Sequence, residues 1–210
     1  MSSLLIIGSG GHGKSVLDCA LSMNRYDEVI FASNEERPVP VPGFKILDER
    51  ELSYSYMRGH FNAVIVAIGD NTIRLRKTEQ LLAEGIPMPP LVHDTAYVSP
   101  LARLGAGTVV LASAVVNAFA SVGIACIVNS SAVVEHDCVL ENGVHLSPGA
   151  IIAGGCVIGR ETWICSASGV ADHVSMAPLC TLAGGSYLRS DGLVSGLYAG
   201  VPATLKRDGV

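Results

Sequence analysis

The sequence predicts an α/β N-terminal domain, a Rossmann-like half domain, followed by an all-β left-handed parallel β-helix built from hexapeptide repeats. Three observations carry this reading. From Val92 to Leu182 every sixth residue is aliphatic or methionine, and the register never slips. Four residues after each of these comes a small or slim side chain, among them Ala96, Ala114, Cys126, Ala132, Cys138, Ala150, Cys156 and Cys180. Ahead of the repeat, short apolar runs alternate with helical stretches in the order of a small parallel sheet. A fixed short period means stacked coils. In the left-handed form three hexads close one coil, the large aliphatic fills the interior, and the small residue sits near a corner. Each coil buries its apolar face only against the next, so strength is cumulative and the ends need caps. Stacked strands lie roughly 4.8 Å apart. Residues eighteen apart are therefore vertical neighbours.

The elements follow in order. Residues 4–7 predict a buried strand that runs into Gly8-Ser9-Gly10-Gly11-His12-Gly13-Lys14. A helix is expected over 15–23, a second strand over 28–32 and a Pro-rich loop over 33–45. A short helix is expected over 47–57. A third strand over 63–68 ends in Gly69-Asp70-Asn71, and a helix over 72–84 is stopped by Gly85. This gives a Rossmann-like nucleotide-sugar-binding domain over 1–85, a linker over 86–91 and a β-helix with its C-terminal cap over 92–210. The tail leaves the period after Tyr187, and residues 200–203 are expected to form a last extended cap.

Composition narrows the function. The chain has 210 residues, 49% hydrophobic and 16% charged, with a net charge of -5. An acidic chain poor in aromatics (5%) has neither the basic surface nor the stacking platform of a nucleic-acid binder. Nor does it suit an anionic membrane. The apolar stretch 108–128 matches a membrane span in hydropathy, but its period of six and its Asn117 assign it to the coils. Four of the six cysteines fall at the small inward position, where thiols act as slim hydrophobes. No C-x-x-C occurs, and the usage suits a reducing cytoplasm. Nothing at Met-Ser-Ser resembles a signal peptide.

Two stretches could carry chemistry. In the glycine-rich turn, backbone amides at a helix N-terminus can approach a phosphate. The half-sized domain suits a nucleotide diphosphate better than a dinucleotide, because Ser33 and Asn34, followed by Glu35 and Glu36, end the second strand with no single clear acidic residue. The second stretch is Glu135-His136-Asp137. An acid on each side of an outward histidine can raise its basicity and orient its ring, and either acid could be the partner. Eighteen residues on come Gly154 and Gly155, a backbone without side chains that leaves room for a carbonyl and an amide to meet its oxygen. The same arithmetic places Trp163 over His145, as a pair that either flanks a ligand or packs together. A zinc site from His136, His145 and His173 is disfavoured, because the three hold different positions in the hexad.

The Gly-x-Gly-Gly-His-Gly start, the segment Ala67 to Arg74 and Glu-His-Asp-Cys within a hexapeptide repeat together resemble the sugar O- and N-acetyltransferases. Among these are the bacterial UDP-4-amino-sugar N-acetyltransferases and relatives that O-acetylate sialic acid. The resemblance covers nearly the whole chain. It implies acetyl-CoA as co-substrate, a nucleotide-sugar acceptor and a homotrimer with active sites between subunits. It also implies that His136 is the general base, that Asp137 orients it, and that Asn129 belongs to the active site. His145 and Gly154 would lie at the acetyl-CoA site, with Gly155 beside them. Gly10, His12 and Asn71 would belong to the nucleotide-sugar pocket, with Ser33 and Asn34 at the place that bears on base or sugar specificity. There the family often has Leu-Asp-Asp; here the same place is Ala32-Ser33-Asn34. Pro202-Ala203-Thr204 stands where Pro-Ala-Lys is common, and Lys206 is the nearest cation.

The expected activity is N-acetylation of a nucleotide-linked amino sugar by direct attack, with no cysteine nucleophile and no metal. O-acetylation of a sugar hydroxyl is the close alternative. A non-catalytic nucleotide-sugar-binding scaffold and a zinc hydratase are the readings from other classes. Outward residues Ala118, Phe119, Ala120, Ile124 and Ile127 are expected to form an apolar patch for subunit contact.

Overall fold

The computed structural model describes residues 2–209. Met1 and Val210, which end the two expected domain ranges, lie outside the described residues. The N-terminal elements are β1 (Ser3–Ile7), α1 (Gly11–Ser22), β2 (Glu28–Ser33), β3 (Ile46–Asp48), a 3₁₀ turn (Glu49–Glu51), α2 (Tyr54–His60), β4 (Ala63–Val66) and α3 (Asn71–Ala83). The strands form one parallel sheet in the order β3-β2-β1-β4. The single helix expected over 47–57 is replaced by β3, the turn and α2. The Asp48 carboxylate accepts from the Arg50 amide and the Ser53 hydroxyl accepts from the Tyr56 amide. Each cap starts a new helical turn, so the segment breaks in two.

Two glycines are obligatory in the first crossover. Gly8 adopts φ +111°, and a Cβ there would lie 2.7 Å from the Ala67 carbonyl oxygen. A Cβ on Gly13 would lie 2.2 Å from the Gly8 oxygen. Only bare backbone lets α1 start this close to the strand ends. Gly10 and Gly11, in contrast, face open space.

The repeat folds as a three-sided prism of two-residue parallel strands. On the first face Leu91, Val109, Ile127, His145, Trp163 and Thr181 stack outward in register. On the second face the outward column is Tyr97, Val115, Val133, Ile151, Gly169 and Tyr187. On the third it is Arg103, Ser121, Val139, Val157 and Ser175. The inward column is sealed: Val110, Val128, Leu146, Ile164 and Leu182 are buried, as are Cys126, Cys138, Cys156 and Cys180. Two residues expected on the apolar outer patch are buried instead. Ala120 occupies the small inward position, and Ile127 lies beneath the N-terminal domain. Phe119 does project, at 64% exposure.

The connection over 86–90 is packed rather than free, since Ile86 and Met88 sit in the core of the α/β domain. The far end of the prism is closed by an antiparallel hairpin, Gly196–Gly200 with Ala203–Asp208, and Tyr198 fills its interior. The extended cap expected over 200–203 is the turn of this hairpin.

Helix α3 locks the two parts together. It runs along the corner between the third and first faces, where Gly107, Ala125, Gly143 and Glu161 repeat with positive φ. A Cβ on Gly107 would meet Thr78 at 3.0 Å, and one on Gly143 would meet Leu75 at 3.0 Å. The Arg74 guanidinium donates to the Ala125 and Gly143 carbonyls, and the Asn71 amide donates to the Glu161 carbonyl. A helix rises about 5.4 Å per turn and coils stack about 4.8 Å apart, so one contact per turn meets one corner per coil.

Candidate active site

Two groups of side chains gather on the prism, on different sides of it. The first is at the corner opposite the first face. Val134 points inward, so the next three residues turn the corner and His136 projects. Its Nδ1 lies 2.8 Å from Asp137 Oδ2, and Asp137 holds φ +60° to bring the carboxylate there. Glu135 is engaged elsewhere, accepting from the Asn117 amide at 2.9 Å one coil below. Asp137 is therefore the partner of His136. With Nδ1–H donated to Asp137, the tautomer leaves Nε2 as a free base.

That free edge lies over Gly154. A Cβ there would come within 2.7 Å of His136 Cε1 and 2.8 Å of Nε2, so the absent side chain is what admits the ring. No acceptor among the described residues takes the Gly154 N–H. Gly155 adopts φ +69° and donates its own N–H to the His136 carbonyl. The result is an imidazole base, a bare backbone and an available amide at one corner. These could hold an acyl carbonyl and take a proton from an attacking group.

The second group lies where α1, α3 and the first face meet. His145 stacks on Trp163, with ring centroids 5.8 Å apart and planes at 11°. Trp163 Nε1 donates to Ser147 Oγ, which fixes the indole, and Asn129 Nδ2 lies 3.4 Å from His145 Nε2. Burial, then the nearby Arg74 charge and coupling to the His12 ring, lower the His145 pKa to about 3. His12, in the first turn of α1, is held at about 4 by burial and by Arg74. Its Nε2 is buried without a hydrogen-bond partner. A neutral, unpaired imidazole nitrogen at an uncapped helix start leaves a polar contact for a ligand to complete.

Beside this group opens a cleft of about 460 Å³ lined by Gly69, Asp70, Asn71, Thr72, Glu161, Trp163 and Thr181, among others. Asn71 is at its edge, but both ends of its amide are occupied: Oδ1 accepts from Arg74 and Nδ2 donates to Glu161. Thr72 also bonds the Glu161 carboxylate. Ser33 and Asn34 lie apart from it, at the end of β2. Ser33 is buried, its hydroxyl accepting from the Glu35 amide, and Asn34 is exposed. Glu161 and the clamping role of Arg74 went unread in the sequence. The eighteen-residue column through 125, 143 and 161 was the available signal.

The thiols differ: a hydrogen bond from Cys138 holds Cys156 down at about 7, but Cys156 is sealed inside the prism. Burial raises Cys126 to about 11 and Cys19 to about 12. Among the described residues no group of three or more His, Cys, Asp or Glu side chains is arranged to hold a metal ion. His145 is on the first face, and His136 and His173 are at the opposite corner.

Comparison with known proteins identifies the family. Residues 3–81 match the family model of the PglD N-terminal domain. The acetyltransferase domain of PglB from Neisseria gonorrhoeae FA1090, solved with acetyl coenzyme A, is 35% identical. The match spans 97% of this chain and 98% of that one, with a TM-score of 0.88. The chain belongs to the family of the PglB acetyltransferase domain, among the hexapeptide-repeat acyltransferases, and it is an acetyltransferase. PerB from Caulobacter crescentus, solved with CoA and GDP-perosamine, is 29% identical over 99% of this chain and 98% of that one, with a TM-score of 0.89. WeeI from Acinetobacter baumannii AYE is 17% identical over 97% and 99%, with a TM-score of 0.68, and shares the fold. Among the described residues no helix is long and apolar enough to cross a membrane.

Proposed function

We propose that the chain transfers an acetyl group from acetyl-CoA to the amino group of a nucleotide-linked amino sugar. The carrying observation is His136, with Nδ1 on Asp137 at 2.8 Å and its other edge over the bare backbone of Gly154. His136 Nε2 takes the proton as the amine attacks the thioester carbonyl. The Gly154 N–H donates to the oxygen that gains negative charge. Asp137 holds the ring in its tautomer and stabilises the imidazolium. Positioning and one base suffice, so no covalent enzyme intermediate is required.

The gap in side-chain volume at Gly154 and Gly155 fits a thioester arriving along the corner. The cleft at Asn71 and Trp163, with Gly10, Gly11 and His12 beside the first face, suits the nucleotide sugar. The similarity to PerB, solved with GDP-perosamine, supports an amino-sugar acceptor.

Two observations support a homotrimer with shared sites. His136 and His145 are on opposite sides of one prism, so a site using both draws them from neighbouring copies. The second face also carries an unbroken outward column of apolar side chains and one glycine, from Tyr97 to Tyr187, with Ile151 half exposed.

Thiol release from acetyl-CoA against UDP- and GDP-linked 4-amino sugars and sialic acid, with His136→Ala alongside, tests the reading. Release with an amino sugar, reduced about a hundredfold or more in the variant, is expected. Release with sialic acid alone would reassign the acceptor to a hydroxyl. No release and no acetyl-CoA binding would overturn the proposal.

A further inference from the structure

Gly154 and Gly155 have an imidazole against each of them, and only His136 is used by the mechanism above. His173 supplies the other. A Cβ on Gly155 would lie 2.5 Å from His173 Nδ1 and 2.8 Å from its Cε1. The two glycines are consecutive, their Cα atoms about 3.8 Å apart. His136 thus reaches the dipeptide from the coil below and His173 from the coil above.

The backbone fixes this sandwich. Gly155 N–H donates to the His136 carbonyl, and His173 N–H donates to the Gly154 carbonyl, both at 2.9 Å. His173 holds φ +57°, a left-handed conformation that glycine adopts at less cost. The side chain is exposed, and no partner among the described residues engages either ring nitrogen. Asp172 precedes it, and Asp137 stands in the same vertical column with Gly155 between them.

We propose that His173 is a second catalytic imidazole, the general acid that protonates the departing thiol. The inference rests on His136 being the base. The amine forms its C–N bond, and its proton passes to His136 Nε2. The C–S bond then breaks with its electron pair on sulfur, and protonated His173 gives that sulfur a proton. Proton exchange with water restores both rings, so the sum is amine plus thioester giving amide plus thiol.

The test exploits leaving-group acidity. His173→Gln should lower kcat with acetyl-CoA by about a hundredfold while KM changes little. With 4-nitrophenyl thioacetate, whose thiolate leaves without a proton, the variant should match the parent protein. His136→Gln should lose turnover with both donors. A His136→Gln protein that stays active would sink the base assignment, whatever His173 does. Equal loss in His173→Gln with both thioesters, or no loss with either, would overturn the general-acid role. Binding gives a separate readout. In protein carrying ¹³C at histidine Cε1, titration with CoA should shift the His173 resonance, assigned by its disappearance in His173→Gln. An unmoved resonance under saturating CoA would also overturn it.

Discussion

Arg74 donates from Nη2 to the Gly143 carbonyl at 2.8 Å, and from Nε to the Ala125 carbonyl one coil away at the same distance. The other guanidinium bonds go to Ile68, Gly69 and Asn71. A single buried cation thus ties the last turn before α3 to two coils of the prism. Arg74→Ala would leave the two buried carbonyls of Ala125 and Gly143 without this donor. The expected cost is at least about 3 kcal/mol, since charged hydrogen bonds contribute roughly 1.5–3 kcal/mol each. That corresponds to a fall in Tm of roughly 6–12 °C for a chain of this size. Thermal unfolding followed by circular dichroism measures it, and a fall of a degree or less would show that the clamp does not hold the domains.

His12 and His145 make stability depend on pH in a defined window. Their folded pKa values, about 4 and about 3, lie below the ordinary histidine value of 6.5. Below pH 6.5 the unfolded chain takes up protons that the folded chain refuses. The stability is therefore fully present above pH 6.5 and falls as pH drops towards 4, with the His145 part continuing to about 3. Each histidine contributes a slope of up to about 1.4 kcal/mol per pH unit. Glu161, whose carboxyl is also held below its ordinary value, adds loss in the same direction at lower pH. Denaturant titrations from pH 7 to 4.5 should show this slope, and His12→Gln should make it shallower by one histidine. An unchanged slope in the variant would mean that His12 is not kept neutral by the fold.

The prism was legible because its period is written in adjacent residues. A large side chain every six and a small one four later leave no other way to bury both. The His136 corner was legible by the same arithmetic, since residues 136 and 154 are vertical neighbours. What escaped was set by contacts that no local pattern encodes. Asn71 meets Glu161 across 90 residues of chain. Ile127 follows the hexad like any outward residue, yet the α/β domain covers it. β3 spans three residues, and its pairing to Phe31, Ala32 and Ser33 defines it more than any alternation of its own.

The second-face column predicts where subunits meet. Ile151 is 51% exposed at its centre, between Val133 below and Gly169 above. Ile151→Lys would place a charge against whatever buries that column. Light scattering after size exclusion should give a trimer for the parent chain and smaller species for the variant, at equal secondary-structure content. A trimer that survives the substitution would move the interface to another face.

Gly154→Ala separates the geometry of the corner from its folding. The backbone there is outside the left-handed region, so alanine is conformationally permitted. Its methyl would nevertheless lie 2.7 Å from His136 Cε1 and 2.8 Å from Nε2. His136 is exposed and on a short stem, so the ring swings away and the prism stays intact. Swinging the ring breaks its 2.8 Å contact with Asp137 and fills the space proposed for the thioester. Turnover should fall about a hundredfold or more, the usual contribution of a positioned base. Tm should change by no more than a few degrees, because no buried contact is lost. Retained turnover would show that the bare backbone at 154 is incidental. A collapse of Tm would show instead that Gly154 is required by the coil rather than by the chemistry.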